Sequence, residues 1–133
     1  MDRRPPLQQW LDTIKDDPRS NGVGILFVHN GVVRGTRRDG RAVANLEISY
    51  DPGLLGQAIR ATEDMPGVVA AHAWINEGRL QIGDDMIYAL VAGDTRTNVF
   101  HAWETLASRL KAEVFEAREI LESGATVNAE DTL

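Results

Sequence analysis

The residues with the most chemistry to offer are cations. Four arginines fall within eight positions: Arg34, Arg37, Arg38 and Arg41. A guanidinium grips phosphate or carboxylate through two parallel hydrogen bonds, and several on one loop can close over an anion. The stretch 35–41 holds no aliphatic or aromatic side chain, so the plainer reading is a solvated, mobile loop that keeps the chain soluble. Arg96 stands in Gly93-Asp-Thr-Arg-Thr-Asn98, where a strand pattern gives way to a helical one. Helix N-termini present free N–H groups that suit anions, and Thr95 or Thr97 can cap them. A cation there works against the helix dipole, which points to a bound anion or to a simple pair with Asp94. Lys111 is one of only two lysines, beside twelve arginines. Arginine keeps its proton; a lysine in a cleft can exchange one and serve acid–base chemistry. A lysine at the edge of an apolar stripe can equally snorkel to water.

Other chemistries are poorly supported. The chain has no cysteine, which removes disulfides, thiolate nucleophiles and cysteinyl metal sites. His29, His72 and His101 show no metal-ligand spacing. There is no P-loop, GxGxxG, HExxH or GxSxG pattern.

The 133 residues suit a single domain. Net charge is −6, so the chain is a poor generic partner for nucleic acid. That average hides an asymmetry: residues 1–42 carry eight bases and five acids, residues 43–133 six bases and fifteen acids. No apolar run approaches the 18–20 or so residues that span a bilayer, and no signal-peptide core follows Arg3 and Arg4. A cytoplasmic location is the expectation.

These cations must be positioned by elements of two periodicities. Leu7, Trp10, Leu11 and Ile14 predict an amphipathic helix. Residues 23–28 predict a buried strand, with Asn30-Gly31 as a turn or bulge after it. Val43, Leu46, Ile48 and Tyr50 predict a strand, 54–64 a helix, 68–75 a strand, 79–82 a short strand and 86–92 another. Val99, Trp103, Leu106, Leu110 and Val114 define the longest helix, and Leu121 extends its face. The order predicts an α+β domain over 1–122, with 1–19 as an N-terminal helix and linker. It carries a mixed or antiparallel sheet and a long C-terminal helix, and 123–133 is expected to be a disordered tail.

The ordered set of motifs resembles the MoaE family, the large subunit of molybdopterin synthase. Gly24-Ile-Leu-Phe-Val-His-Asn-Gly-Val-Val-Arg34, the polar loop and Val43-Ala-Asn-Leu-Glu-Ile-Ser-Tyr50 are similar to its opening. Gly78-Arg-Leu-Gln-Ile-Gly-Asp-Asp-Met-Ile-Tyr88 is similar to its middle. Val91-Ala-Gly-Asp-Thr-Arg96, Phe100-His-Ala and Leu110-Lys111 are similar to its last strand and main helix. The resemblance spans about residues 20–120. It implies an α/β hammerhead fold and a homodimer. It implies a small ubiquitin-like partner of the MoaD type, whose C-terminal Gly-Gly thiocarboxylate supplies sulfur. The substrate implied is cyclic pyranopterin monophosphate, converted to the dithiolene of molybdopterin, with no permanently bound cofactor and no metal. Lys111 matches the main active-site lysine. Arg34 and Arg96 match anion-binding arginines, with Thr95, Arg37, Arg38 and Arg41 as further candidates for the same anion.

Two positions depart from the family pattern. Thr95 stands where the family has His before the arginine, and Ala117 where it has a second lysine. The departures leave a second reading open, a MoaE-like dimeric binding or regulatory module that has lost part of the active site. An unrelated α+β dimer with a ferredoxin-like sheet is a third.

Overall fold

A computed structural model describes residues 4–130. Helix α1 spans Leu7–Asp16, and a tight 3₁₀ turn, Pro18–Gly22, follows it. Strands β1 (Ile25–Val32) and β2 (Val43–Tyr50) precede helix α2 (Pro52–Glu63). Three strands come next: β3 (Val68–Ile75), β4 (Gly78–Gln81) and β5 (Asp85–Gly93). Helix α3 (Arg96–Arg109) runs into a π-helical turn, Leu110–Val114, and the chain closes with β6 (Phe115–Leu121) and β7 (Thr126–Asn128). The result is the expected α+β class with wholly antiparallel pairing.

The strands form two sheets, one of three strands in the order β1-β5-β3 and one of four in the order β4-β2-β6-β7. The central strand β5 is apolar almost throughout because both its faces are covered. On one face α1 lays Trp10 and Ile14 against Ala70, Leu90 and Ala92. On the other, Val99, Ala102 and Leu106 of α3 and Leu110 of the π turn pack with Ile75, Ile87 and Val91. Leu46, Ile48 and Leu80 join that cluster from the four-stranded sheet, so this one core ties the two sheets together. Leu106 and Leu110 are wholly buried, which favours the folded state by about 1.5–3 kcal/mol each.

Local chemistry sets the helix starts. Asp51 caps α2 by accepting from the Leu54 N–H at 3.0 Å, with Pro52 in the first turn. Thr95 caps α3 by accepting from the Asn98 N–H at 3.3 Å. Just ahead of that start, Gly67 adopts a positive φ of 77°, and a Cβ there would collide with Asp94 and Asn98. Glycine is therefore what lets the α2–β3 turn press against the N-terminus of α3.

Asn30-Gly31, expected as a turn or a bulge, takes the second form: the pairing of β1 with β5 continues through it and its register slips at Gly31/Val32. Three expectations need correction. Strand β1 is a sheet edge rather than a buried strand, and Val28 and Val32 are exposed. Residues 115–121 are not a continuation of the long helix. The backbone widens into the π turn, where the Phe115 N–H bonds back to Leu110 O, and leaves as β6 beside β2. The expected tail contains β7, paired to β6 from Arg118↔Asn128 to Ile120↔Thr126. Residues 131–133 of that tail lie outside the described residues.

Candidate functional site

Lys111 sits in the π turn, exposed, where α3 has ended and β6 has yet to begin. A π turn adds a residue to one helical turn and so redirects the side chains that follow. Beside Lys111 opens a cavity of about 290 Å³, walled by Phe115, Glu116, Ala117, Arg118 and residues 128–129. Among the described residues neither the Lys111 ammonium nor the Arg118 guanidinium has a hydrogen-bond or ion-pair partner. The walls come from β6 and β7, so both segments that the sequence reading misassigned build this site.

The outer face of the four-stranded sheet continues from the cavity. The pairing aligns Arg79, Glu47, Arg118 and Asn128 in one row across all four strands. Arg79 Nη2 reaches Glu47 Oε1 at 2.7 Å. Glu47 is thus engaged from the β4 side. Arg118, its neighbour on the β6 side, keeps its guanidinium free among the described residues.

The arginine loop behaves differently from one residue to the next. Arg37 is inserted into the structure, its side chain 12% exposed, rather than solvated. Its Nη1 donates to Glu119 Oε1 at 2.6 Å and to Asn128 O at 3.0 Å, and its Nη2 lies 3.5 Å from Glu130 Oε2. Arg37 therefore braces the β7 wall of the cavity, with its charge already paired. Arg38 donates its backbone N–H to Glu130. Arg41 pairs with Asp39 at 2.8 Å in the open, where screening leaves such a pair little value. The Arg41 N–H is the main cause that holds the Asp39 carboxyl below its ordinary range. Arg34 donates through Nε to Thr36 O at 2.9 Å and remains exposed.

The start of α3 is already supplied with an anion of its own. Asp94 Oδ1 accepts from the Thr95 N–H at 2.6 Å and from Asn98 Nδ2 at 2.9 Å. These bonds, that to Asn98 foremost, hold the Asp94 carboxyl below its ordinary range. Thr95, expected at the anion site, spends its hydroxyl on the helix cap. Arg96, exposed, makes no hydrogen bond or ion pair among the described residues. Arg96 and Lys111 are fifteen residues apart along helical backbone, or roughly 22 Å at a rise of about 1.5 Å per residue. The three-residue site Arg34–Arg96–Lys111 is therefore not assembled within one chain. Neither arginine lines the Lys111 cavity.

The histidines serve packing. His29 stacks on Trp103 at 4.6 Å and His72 on Trp10 at 5.3 Å. Burial pushes both imidazoles below their ordinary value, with Glu63 opposing the shift at His72. Among the described residues no group of three or more His, Cys, Asp or Glu could hold a metal ion. No helix among them is long and apolar enough to cross a membrane.

Sequence reasoning missed Arg118 and Glu116 because it took 115–121 as helix. The signal was present: Phe115, Ala117 and Leu121 fall at even spacing, with Glu116 and Arg118 on the alternate face, the period of a strand.

The chain is an antiparallel α+β domain with a cation-bearing cavity at the end of its main helix. The MoaE protein family model matches residues 6–113, and the chain belongs to this family. That membership places it in molybdenum cofactor biosynthesis. The match stops just short of β6. Solved structures agree on the fold. The chain is similar to molybdopterin synthase from Staphylococcus aureus at 23% identity, covering 84% of this chain and 87% of that one, with a TM-score of 0.69. It is similar to the molybdopterin biosynthesis MoaE protein of Burkholderia ambifaria at 23% identity, covering 100% and 88%, with a TM-score of 0.69. It is also similar to a chain in the complex of subunits 1 and 2 of molybdopterin-converting factor from Helicobacter pylori, at 16% identity, covering 96% and 86%, with a TM-score of 0.65. No curated protein matches the chain.

Proposed function

We propose that this protein is the large, catalytic subunit of a molybdopterin synthase. It would receive sulfur from the C-terminal thiocarboxylate of a small MoaD-type subunit and transfer it to cyclic pyranopterin monophosphate. The observation that carries this reading is Lys111. It is an exposed amine with no side-chain partner among the described residues, at the rim of a cavity, in a chain of the MoaE family. An ammonium there can neutralise the charge that develops as the thiocarboxylate is attacked and departs, and can donate a proton to the leaving group. The sulfur arrives on another chain, so the absence of cysteine is no obstacle. The two-subunit complex of the Helicobacter pylori relative supports a small partner subunit here.

A homodimer completes the proposal. Arg96 stands too far from Lys111 to share an anion with it in one chain, so a second copy would have to bring its own Arg34 or Arg96 to this cavity. The test is a reconstituted assay with a thiocarboxylated small subunit and the pterin substrate. Lys111→Ala is expected to abolish molybdopterin formation while circular dichroism and melting stay as in the wild type. Wild-type turnover in that variant would remove Lys111 from the mechanism.

Ala117 motivates the second reading, a non-catalytic module, since it puts a methyl group in the cavity wall where the family has an amine. Complementation of a strain lacking its own large subunit separates the two. Rescue supports the enzyme; failure to rescue with retained pterin-phosphate binding supports the module.

A further inference from the structure

We infer that Glu63, by accepting the Ala71 N–H, closes the free edge of β3 against pairing with β3 of a second copy of the chain. Sheet edges carry unpaired N–H and C=O groups and template association unless something blunts them. The described residues contain four such edges: β1 and β3 in one sheet, β4 and β7 in the other. Three are blunted within the strand itself. β4 and β7 are only four and three residues long. β1 slips register at Gly31/Val32, and such a bulge twists an edge out of line. β3 differs. Its eight residues, Val68-Val-Ala-Ala-His-Ala-Trp-Ile75, include no Asp, Glu, Lys, Arg, Gly or Pro. Beyond a slip at Val68/Ala70, its register with β5 is unbroken to Ile75. Short uncharged segments rich in branched and aromatic residues stack readily on their own copies.

The protection comes from α2. Glu63 is the last residue of that helix, and its Oε2 accepts the Ala71 N–H at 3.3 Å. Ala71 pairs in register with Val91 of β5, and the N–H it gives to Glu63 is the one turned away from β5. Along an antiparallel strand these groups alternate in direction, so the Ala73 N–H faces the same way. The Glu63 carboxylate therefore stands where the carbonyl of an incoming strand would bond. A second copy pairing there would have to displace it, and would bring its own Glu63 to the same contact. The helix itself does not call for this acid. A carboxylate in the last turn works against the helix dipole, so its place is explained by what it meets on β3. The charge also reaches His72 on the same strand and Arg19 of the 3₁₀ turn, which puts it at the rim of the sheet rather than out in solvent.

The experiment follows sedimentation of the full chain over a range of concentrations, together with hydrogen exchange at the Ala71 amide. Circular dichroism and melting check the fold of each variant. Glu63→Ala is expected to raise Ala71 exchange severalfold and to add assemblies larger than the wild-type species, growing with concentration. Glu63→Met keeps a side chain of similar length without an acceptor and should do the same, which keeps the test decisive where the alanine variant folds poorly. Glu63→Gln retains an acceptor and should associate less than either. Ala73→Pro removes the next outward donor, a change that an edge strand tolerates on its open side. Added to Glu63→Ala, it should return sedimentation to the wild-type pattern while Ala71 exchange stays raised. Wild-type sedimentation in both Glu63→Ala and Glu63→Met, even with faster exchange, would overturn the proposal and leave Glu63 as a local cap. Association that persists in Glu63→Ala/Ala73→Pro would place the contact on another surface and overturn it as well. So would a Glu63→Gln chain that associates as strongly as Glu63→Ala.

Discussion

Arg37 Nη1 lies 2.6 Å from Glu119 Oε1, joining two residues 82 positions apart with side chains only 12% and 8% exposed. The pair pins the β1–β2 loop onto β6, and through Asn128 O onto β7. Glu119 also accepts the Glu130 N–H at 3.3 Å. Breaking such a pair leaves one charge buried without its counterion, at a cost of about 3–5 kcal/mol. Arg37→Ala and Glu119→Ala should each lower unfolding free energy by roughly 3 kcal/mol in urea titrations. Replacing both with leucine should recover most of that loss, because well-packed apolar pairs often substitute for buried ion pairs. A double variant as unstable as the sum of the singles would show that the pair does not act as a unit.

That pair also marks where the sequence stops being readable. Elements governed by local periodicity were legible: the stripe of α1, the body of α2, and β3 within its observed bounds. The boundary of α3 was not. Leu110, Val114 and Leu121 keep a helical spacing in the sequence, while the pairing with β2 that makes 115–121 a strand involves residues about seventy positions away. The same holds for Arg37, which looks like every other loop arginine until Glu119 is placed beside it. At the site, Lys111 and the arginines were recognisable by residue type. Which cations share a cavity was not, because that depends on the π turn and on strands β6 and β7.

The cap of α3 yields a smaller effect. Thr95→Ala removes the acceptor for the Asn98 N–H and should cost about 1 kcal/mol. Asp94→Ala should cost stability as well, since its carboxylate accepts two hydrogen bonds at the same helix end. Neither change is expected to alter phosphate binding at the Lys111 cavity. Thermal melts paired with phosphate titrations check both statements, and lost phosphate binding in Thr95→Ala would return Thr95 to the anion site.

The histidines predict a pH dependence of stability. His29 and His72 titrate below their ordinary value in the fold because burial disfavours the charged ring. In the unfolded chain they take up protons first, as pH falls below about 6.5. The unfolded state then binds more protons than the folded one, so stability drops with falling pH until the folded imidazoles protonate too. Above the ordinary value both states are neutral and this contribution is flat. Melting temperature should therefore fall between pH 7 and pH 5. The His29→Phe/His72→Phe double variant, which retains the stacking on Trp103 and Trp10, should lose that part of the slope. An unchanged slope would assign the effect to carboxylates instead.

The separation of Arg96 from Lys111 makes the dimer testable through activity. If each site takes Lys111 from one copy and Arg96 from the other, Lys111→Ala and Arg96→Ala chains are each inactive alone. Mixed, they form hybrid dimers in which one site carries both lesions and the other carries neither. Random exchange makes half of all dimers hybrid, so activity should return to about one quarter of the wild-type value per chain. If Lys111 and Arg96 served the same site from the same chain, every site in every hybrid would carry one lesion and mixing would restore nothing. The measurement is molybdopterin formed per chain as the mixing ratio is varied. A maximum at equal proportions identifies the shared site; a flat line at the inactive level assigns both residues to a site within one chain, and an active Arg96→Ala chain on its own places Arg96 outside it.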